Sequence, residues 1–491
     1  VKSRKIVVVG SGTAGLVTAL IIKTLFENYD VTVISSGEIG IIGVGEGSTE
    51  HWRQFQDIVG INPIDMVKHA DITHKYGIRY ENWTNHTPDY FHSVGGIGLS
   101  VNTFWGGYAF ALENNRLLTN TFSWRGLIEN KVIDNGDKTH FGTNQYHFDT
   151  FKLNLFLRNV ASNKKIRLVE DAIDNVVIDE SGYITAVHGA NSDTNYSGDF
   201  FVDATGFHRR ILSKLTTNDF ISYRKYLPCD SAIAFPTESD PSGQIRPYTR
   251  ARAMKNGWMW EIPTQNRRGN GYVFSSDFCS VDKAISEASE IHGFQVEPAK
   301  VIQFKSGYFK ETWKNNCVAV GLAASFVEPL EATSISTTIQ QARLICSYLP
   351  TFDKSRTYGI REYHRVLDSI MENILCMISL HYVSDRTDSE MWREQQKAEK
   401  PDLLKHLLEL WSIRCPEAHD IPHTGFELFA AAHLWHVAQG QGVLEPEIAS
   451  MQLDAYNSRK SVSKDISQFS SELLKQKLVD HAEALRKTAN S

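Results

Sequence analysis

The run Lys5-Ile6-Val7-Val8-Val9-Gly10-Ser11-Gly12-Thr13-Ala14-Gly15 carries a short β-branched strand straight into a glycine-rich turn. Residues 16–26 read as an amphipathic helix after it, and Val31-Thr32-Val33-Ile34 as a second buried strand. Strand, glycine turn, helix and strand within about 30 residues is the order that a dinucleotide-binding βαβ unit requires. Gly10, Gly12 and Gly15 let the backbone turn tightly and approach a pyrophosphate, which then rests on amides at the positive end of the helix, with Thr13 and Ala14 in the same turn counted among the cofactor-binding residues. A bare G-x-G-x-x-G pattern is weak, since chance glycines match it often. Its place between a strand and a helix gives it weight against a purely structural turn.

Outward from this unit, residues 166–169, 176–178 and 183–187 look like short strands. Phe200-Phe201-Val202-Asp203-Ala204-Thr205-Gly206 and Cys317-Val318-Ala319-Val320-Gly321-Leu322-Ala323-Ala324 are two more apolar runs that end in small-residue turns. Such turns are where an open α/β sheet places its ligands. A helix is expected over residues 334–349. The three turns suggest one discontinuous nucleotide-binding domain over residues 1–350 with interleaved substrate-binding segments. From Tyr358 onward helical spacing dominates, as at Leu403, Leu404, Leu407 and Leu410, so residues 351–491 are expected to form a mainly helical region that covers a substrate. The last 30 residues or so read as a peripheral helix.

The 491 residues carry 51 Lys and Arg against 57 Asp and Glu, a net charge of −6 with no pull toward nucleic acid or an anionic membrane. The six cysteines lie far apart and form neither a disulfide framework nor a metal motif. No metal is expected. The first apolar run breaks at Gly10, too short for a signal-peptide core, and no stretch approaches the roughly 18 apolar residues that span a bilayer. The expectation is a cytoplasmic protein, with no membrane partner and with a homo-oligomer left open.

The segment Gly257-Trp258-Met259-Trp260-Glu261-Ile262-Pro263 is followed by Arg268-Gly269-Asn270-Gly271-Tyr272-Val273-Phe274-Ser275-Ser276. In the same chain stand Gly43-Val44-Gly45-Glu46, Asp203-Ala204-Thr205-Gly206-Phe207, and Phe326-Val327-Glu328-Pro329-Leu330-Glu331-Ala332-Thr333-Ser334-Ile335. His381-Tyr382 with Arg386 and Trp392, then Trp435 with Gly440 and Gly442, complete the set. In this order the segments resemble flavin-dependent halogenases of the tryptophan-halogenase family, from the first glycine turn to about Pro446. The resemblance implies an α/β fold of the FAD-dependent monooxygenase-like type with a substrate-binding insertion and a helical C-terminal region. It also implies FAD supplied as FADH2 by a separate NAD(P)H-dependent flavin reductase. O2 and a halide would be consumed, and a flavin C4a-hydroperoxide would yield hypohalous acid.

Trp-x-Trp puts both indoles on one face of an extended segment, which by itself is compatible with core packing. The resemblance places Trp258 and Trp260 beside the flavin, where they keep the organic substrate from direct oxygenation. Lys75, within His74-Lys75-Tyr76-Gly77, is by residue type a solvated surface lysine. By resemblance it holds or accepts the hypohalous species and aims it at one carbon. Burial would lower its pKa and a nearby carboxylate would raise it. Glu331 is by itself a glutamate suited to a helix N-terminus. By resemblance it stands beside Lys75, to polarise the halogenating species or take the ring proton. Thr333 and Ser334 begin the expected helix, whose free amides form an anion site assigned by resemblance to the halide. Leu322 and Ile335 fall where the family contacts the flavin ring, Ile173 where it contacts the adenine, and Glu46 belongs to a flavin-binding segment.

Three departures qualify the match. Ser35 ends the second strand where an acidic residue usually grips the ribose, with Glu38 only after a glycine, so FAD is expected to bind loosely, as suits a flavin that arrives already reduced. Ala332 replaces the usual serine. Residues 422–434, Pro-His-Thr-Gly-Phe-Glu-Leu-Phe-Ala-Ala-Ala-His-Leu, lack the clamp for a free amino-acid group, so free tryptophan is not the expected substrate. An indole- or phenol-like arene is, with bromide or iodide, the more easily oxidised halides, preferred to chloride. The rival readings are an aromatic monooxygenase on the same fold and a non-catalytic FAD-binding protein.

Overall fold

The computed structural model describes residues 3–37, 45–93, 109, 112–114, 118, 121–134, 136, 141, 143, 145–355, 357–455 and 459–490. Glu38, Gly43 and Val44 lie outside the described residues. The first strand, Lys5–Val9, is central in a six-stranded sheet. It pairs in parallel with Asp30–Ser35 on one side and Phe200–Asp203 on the other. Arg167–Glu170 extends the parallel set beyond Asp30–Ser35. Cys317–Ala319 extends it beyond Phe200–Asp203, and Trp313–Lys314 closes that edge antiparallel. The unbroken apolar runs follow from burial on both faces, as parallel sheets require. The helices Thr13–Leu25 and Thr333–Tyr348 pack against each other beside this sheet.

The register brings the carboxyl ends of the three runs read from the sequence to one edge. Ala204 N donates to Val9 O at 2.9 Å, and Val320 N donates to Asp203 O at 3.0 Å. Gly10 has φ +111°, and a Cβ there would stand 2.2 Å from Ala204 O. At Gly15 a Cβ would meet Gly10 O at 1.9 Å. These two glycines are therefore demanded by close backbone approach within the fold.

A second, seven-stranded sheet runs in the order Lys300–Gln303, Ser231–Glu238, Arg267–Phe274, Gly257–Pro263, Tyr248–Ala253, Gly77–Glu81 and Asp89–Ser93. The tryptophan strand lies at its centre. Trp260 is opposite Gly271, where a Cβ would stand 2.0 Å from the indole, so the glycine in the neighbouring strand is what lets that ring lie down. Three very short strands form a separate sheet, with Glu46–Gly47 and Thr73–His74 on either side of Tyr146–Phe148, and Lys75 directly follows the last of them in the sheet order.

After residue 351 the regular structure of the described chain is helical apart from the short strand Leu478–Val479. The 24-residue helix Tyr358–His381 ends near the tryptophan sheet, and Asp402–Trp411 buries Leu404 and Leu407 of the leucine pattern. The chain end differs from the peripheral helix expected. Leu478–Val479 pairs with Val132–Ile133, and helix His481–Ala489 buries His481, whose Nε2 accepts from His74 N at 3.0 Å. Val479, Ala484 and Leu485 join the hydrophobic core and dock the segment, and the imidazole buried with them is satisfied by His74. All six cysteines are buried free thiols. Among the described residues no helix is long and apolar enough to cross a membrane.

Candidate active site

A cavity of about 930 Å³ lies between the two large sheets, at the carboxyl edge of the parallel one. Gly12, Thr13 and Ala14 line one end, with Ser35, Ile173 and the small-residue turn Ala204-Thr205-Gly206. A Cβ at Gly12 would meet nothing within 4 Å, so the turn leaves an open cradle. The helix start beyond it has no side-chain cap, which leaves its amides to a ligand. Arg158 and Arg210 add cations to the lining. Arg158 Nη1 donates to Ser11 Oγ at 2.9 Å, and Asn154 Nδ2 to Ser11 O at 2.7 Å, so the turn is braced from the distant helix Thr150–Asn163. Gly10 and Gly15 stand behind this lining as packing residues.

The carboxylate expected at the end of the second strand comes from the neighbouring strand. Glu170 is the register partner of Ser35 and lines the cavity. A Cβ at Gly37 would stand 2.4 Å from Glu170 Oε1. Ser35 and Glu170 thus present a hydroxyl and a carboxylate side by side to the cavity. Glu170→Ala is expected to weaken FAD binding roughly tenfold, the worth of a charge-assisted hydrogen bond, in a flavin fluorescence titration. An unchanged dissociation constant would remove Glu170 from the site.

Glu46, Trp258, Trp260, Leu322, Ser334 and Ile335 also line the cavity. The two indoles lie 6.2 Å apart. Trp258 Nε1 donates to Glu328 Oε2 at 3.1 Å. Burial pushes the pKa of Glu46 up to about 7, and that of Glu328 likewise to about 7 against the pull of Trp258 and Tyr382. Thr333 is buried at the start of the Thr333–Tyr348 helix and does not line the cavity, whereas Ser334 does. Ala332 precedes it with φ +56°, a left-handed conformation that alanine adopts only at a cost of about 1 kcal/mol or more. No side chain caps this helix, so its first amides are open to an anion.

Lys75 stands just beyond the lining. It is buried, and its Nζ donates to Ser48 O at 2.9 Å. A Cβ at Gly47 would come within 3.3 Å of Lys75 Nζ and 3.4 Å of the Ala332 methyl. Gly47 and Ala332 line the cavity, so the ammonium is separated from it by the thickness of one small residue. Burial drives the lysine pKa down to about 8, while Glu331 and Glu50 pull it the other way.

Glu331, also buried, is the hub of a polar cluster. Its carboxylate accepts from Tyr80 OH at 2.6 Å, His92 Nδ1 at 2.8 Å and His381 Nε2 at 2.8 Å. A carboxylate only accepts, so both imidazoles donate to it. Burial alone would raise its pKa, but His92 and His381 hold it well below the usual carboxylate range. His92 Nε2 meets His433 Nδ1 at 2.8 Å, and His433 Nε2 lies 3.4 Å from Glu50 Oε1. Burial opposes charge on both, yet Glu50 raises the pKa of His433, and His433 with His51 brings Glu50 down to about 2. Two carboxylates, linked by two histidines, thus flank the one lysine.

The sequence singled out no role for Tyr80, His92, His433, Glu50 or Glu170, and gave His381 and Glu328 only as members of family-like segments. The strand Asp89–Ser93 buries Tyr90, His92 and Ser93, and an inward histidine on a strand is the one signal that could have singled out His92.

The family model for tryptophan halogenases matches residues 5–456. The chain is 32% identical over 457 residues to the 7-chloro-L-tryptophan 6-halogenase of Kutzneria sp. (strain 744), covering 84% of this chain and 86% of that one. It is 30% identical over 458 residues to tryptophan 6-halogenase of Streptomyces toxytricini, covering 85% of each. Among solved structures, a flavin-dependent halogenase from Xanthomonas campestris matches with a TM-score of 0.85 at 31% identity, over 99% of this chain and 98% of that one.

Proposed function

The chain belongs to the tryptophan halogenase family, and from that premise we propose that it halogenates an electron-rich arene, indole- or phenol-like, with Lys75 and Glu331 as its catalytic pair. It is a flavin-dependent halogenase, an oxidoreductase. The observation that carries the residue assignment is the buried Lys75 ammonium, flanked by carboxylates and one small residue away from the cofactor cavity.

When bound, FADH2 from a separate reductase supplies the two electrons with which O2 and halide give hypohalous acid. The chain does the rest. Gly12, Thr13 and Ala14 cradle the diphosphate, Ser35 and Glu170 hold the ribose, Ile173 meets the adenine, and Glu46, Leu322 and Ile335 surround the ring. The open amides at Thr333 and Ser334 hold the halide. Trp258 and Trp260 wall the arene off from the cofactor. Lys75 donates a proton to the hypohalous oxygen as the halogen passes to the ring, so the oxygen leaves as water. The ring proton goes to Glu331, whose depressed basicity is enough for so acidic a cation, and returns to Lys75. Balanced, ArH and HOX give ArX and water, and the pair is restored. A general acid with pKa near the working pH is the efficient kind.

Residues 1–350 are assigned to FAD binding and residues 351–491 to covering the substrate, supported by His381 and His433 reaching the cluster from the helical part. Free tryptophan is disfavoured because Glu427 spends its carboxylate on its own loop, accepting from Thr424 N and Gly425 N.

Because the ammonium is the active form of Lys75, kcat is expected to be level below about pH 7 and to fall as pH rises through about 8. An activity that rose through that range would make the free amine the reactive form. The deciding experiment incubates indoles, phenols and other arenes with FAD, reductase and NADH in chloride, bromide and iodide separately. Catalase is present throughout, and a reductase-only control runs alongside. Halogenated product supports the proposal, with bromide or iodide ahead of chloride. Hydroxylated product would make the chain a monooxygenase, and no product from any arene would leave a flavin-binding protein.

A further inference from the structure

Glu328 has no part in the chemistry above, yet it is fully buried and its place in the fold is specific. It precedes the turn Pro329–Glu331, so Glu328 and Glu331 leave the same short segment for different neighbours. Glu331 meets the histidine cluster. Glu328 Oε2 accepts from Trp258 Nε1 at 3.1 Å and from Tyr382 OH at 2.9 Å. Tyr382 follows His381 at the end of the Tyr358–His381 helix, and His381 donates to Glu331. Two adjacent residues on one helix end therefore clasp two carboxylates on one turn.

We propose that Glu328 is a positioning residue that fixes the Trp258 indole across the cofactor cavity and ties that wall to the substrate-side cluster through the paired clasp of His381 and Tyr382. The inference rests on the reading of Trp258 as the wall between cofactor and arene. An indole has one donor and no acceptor, so a single buried partner settles which way its edge points. The Glu328 backbone N donates to Ser306 Oγ at 3.3 Å, and Cys229 Sγ lies 3.5 Å from Tyr382 OH, so the clasp is itself held from the sheet side. Tyr382 packs edge-on against Trp83 and lies tilted on Trp392, which limits its own freedom. Without Glu328 the Trp258 N–H loses its acceptor and the ring is free to turn.

The test has two readouts on the full chain. In protein labelled with 15N-indole tryptophan, the Trp258 N–H resonance is assigned by its loss in Trp258→Phe. It is expected to be exchange-protected in wild type, to shift and lose protection in Glu328→Leu, and to be largely retained in Glu328→Gln, whose amide oxygen still accepts. With reductase, halide and arene, Glu328→Leu is expected to lower halogenated product per flavin reoxidised about tenfold. Hydrogen peroxide should rise in proportion, KM for the arene should be unchanged, and Glu328→Gln should rescue most of the coupling. Trp258→Phe should show the same uncoupling, and adding Glu328→Leu to it should make it no worse; if Glu328→Leu fails to fold, Glu328→Ala, which equally lacks an acceptor, is read for the same resonance shift and uncoupling. A Trp258 resonance indifferent to Glu328→Leu, or unchanged coupling in a folded variant, overturns the proposal. Absence of halogenation by wild type would overturn the activity reading alone, because the resonance test needs no turnover.

Discussion

Replacing Lys75 with methionine is expected to abolish halogenation and to stabilise the protein at the same time. Methionine fills the same narrow space without charge. Holding the lysine at about 8 when its ordinary value is 10.5 means that the folded state pays to keep an ammonium out of water. The sign follows from proton counting. Between about pH 8 and 10.5 the unfolded chain binds the proton and the folded one has released it, so stability from this group rises with pH there. Below about pH 8 both states are protonated and the full penalty stands, on the order of 3 kcal/mol. Lys75→Met should therefore raise the melting temperature at pH 7 by roughly 3 °C in a chain this long, with the gain shrinking as pH rises past 8. FAD affinity should not change, since Lys75 lies behind Gly47 and Ala332 and not in the cavity lining. Halogenated product should fall below detection by mass spectrometry. A variant that still halogenates would remove the lysine from its assigned role, and one less stable than wild type at pH 7 would overturn the burial penalty. A surface lysine would produce neither effect.

That contrast shows where the sequence was readable. The βαβ unit was legible because its signals are local: strand, turn and helix lie within one run of chain, and Gly10 and Gly15 meet each other and Ala204 in the fold. The tryptophan strand was legible for the same reason, and Gly271 across from Trp260 shows why the glycine-rich segment follows it. Lys75 was different. By residue type it belongs on the surface, and its burial comes from strands two and three residues long, too short to carry a period-2 pattern. Only the resemblance singled it out. Glu170 stands where an acidic residue was sought at Ser35, but it arrives from the next strand, and register between distant segments cannot be read from either alone. His92 and His433 come from a strand and a helix far apart in the chain, and each looks alone like a histidine with no partner. His481 was passed over because a polar helix at the chain end reads as peripheral until its one buried imidazole finds His74.

The hub at Glu331 gives the second large effect. Glu331→Gln keeps the shape of the side chain and replaces one accepting oxygen with a donor. Tyr80, His92 and His381 all donate to that carboxylate, and Tyr80 keeps its proton because burial and the nearby charge push its pKa well up. A glutamine offers one accepting oxygen to three donors, so at least one ring must turn away or change tautomer. The fold should lose roughly 1–3 kcal/mol, the cost of an unpaired buried polar group. The chemistry should lose more. With no carboxylate to take the ring proton, kcat is expected to fall about a hundredfold or more, while KM for the arene and the affinity for FAD hold. A second consequence separates this role from simple damage. Glu331 is one of two carboxylates that hold the Lys75 pKa up against burial. Removing its charge should move the alkaline fall of the residual activity from about pH 8 to lower pH, since Glu50 alone then supports the ammonium. An alkaline limb that stays in place would uncouple the two residues, and a kcat near wild type would leave Glu331 a structural hub with no part in proton transfer. If both shifts appear together, the carboxylate acts on the substrate and on the lysine at once, as a shared proton between them requires.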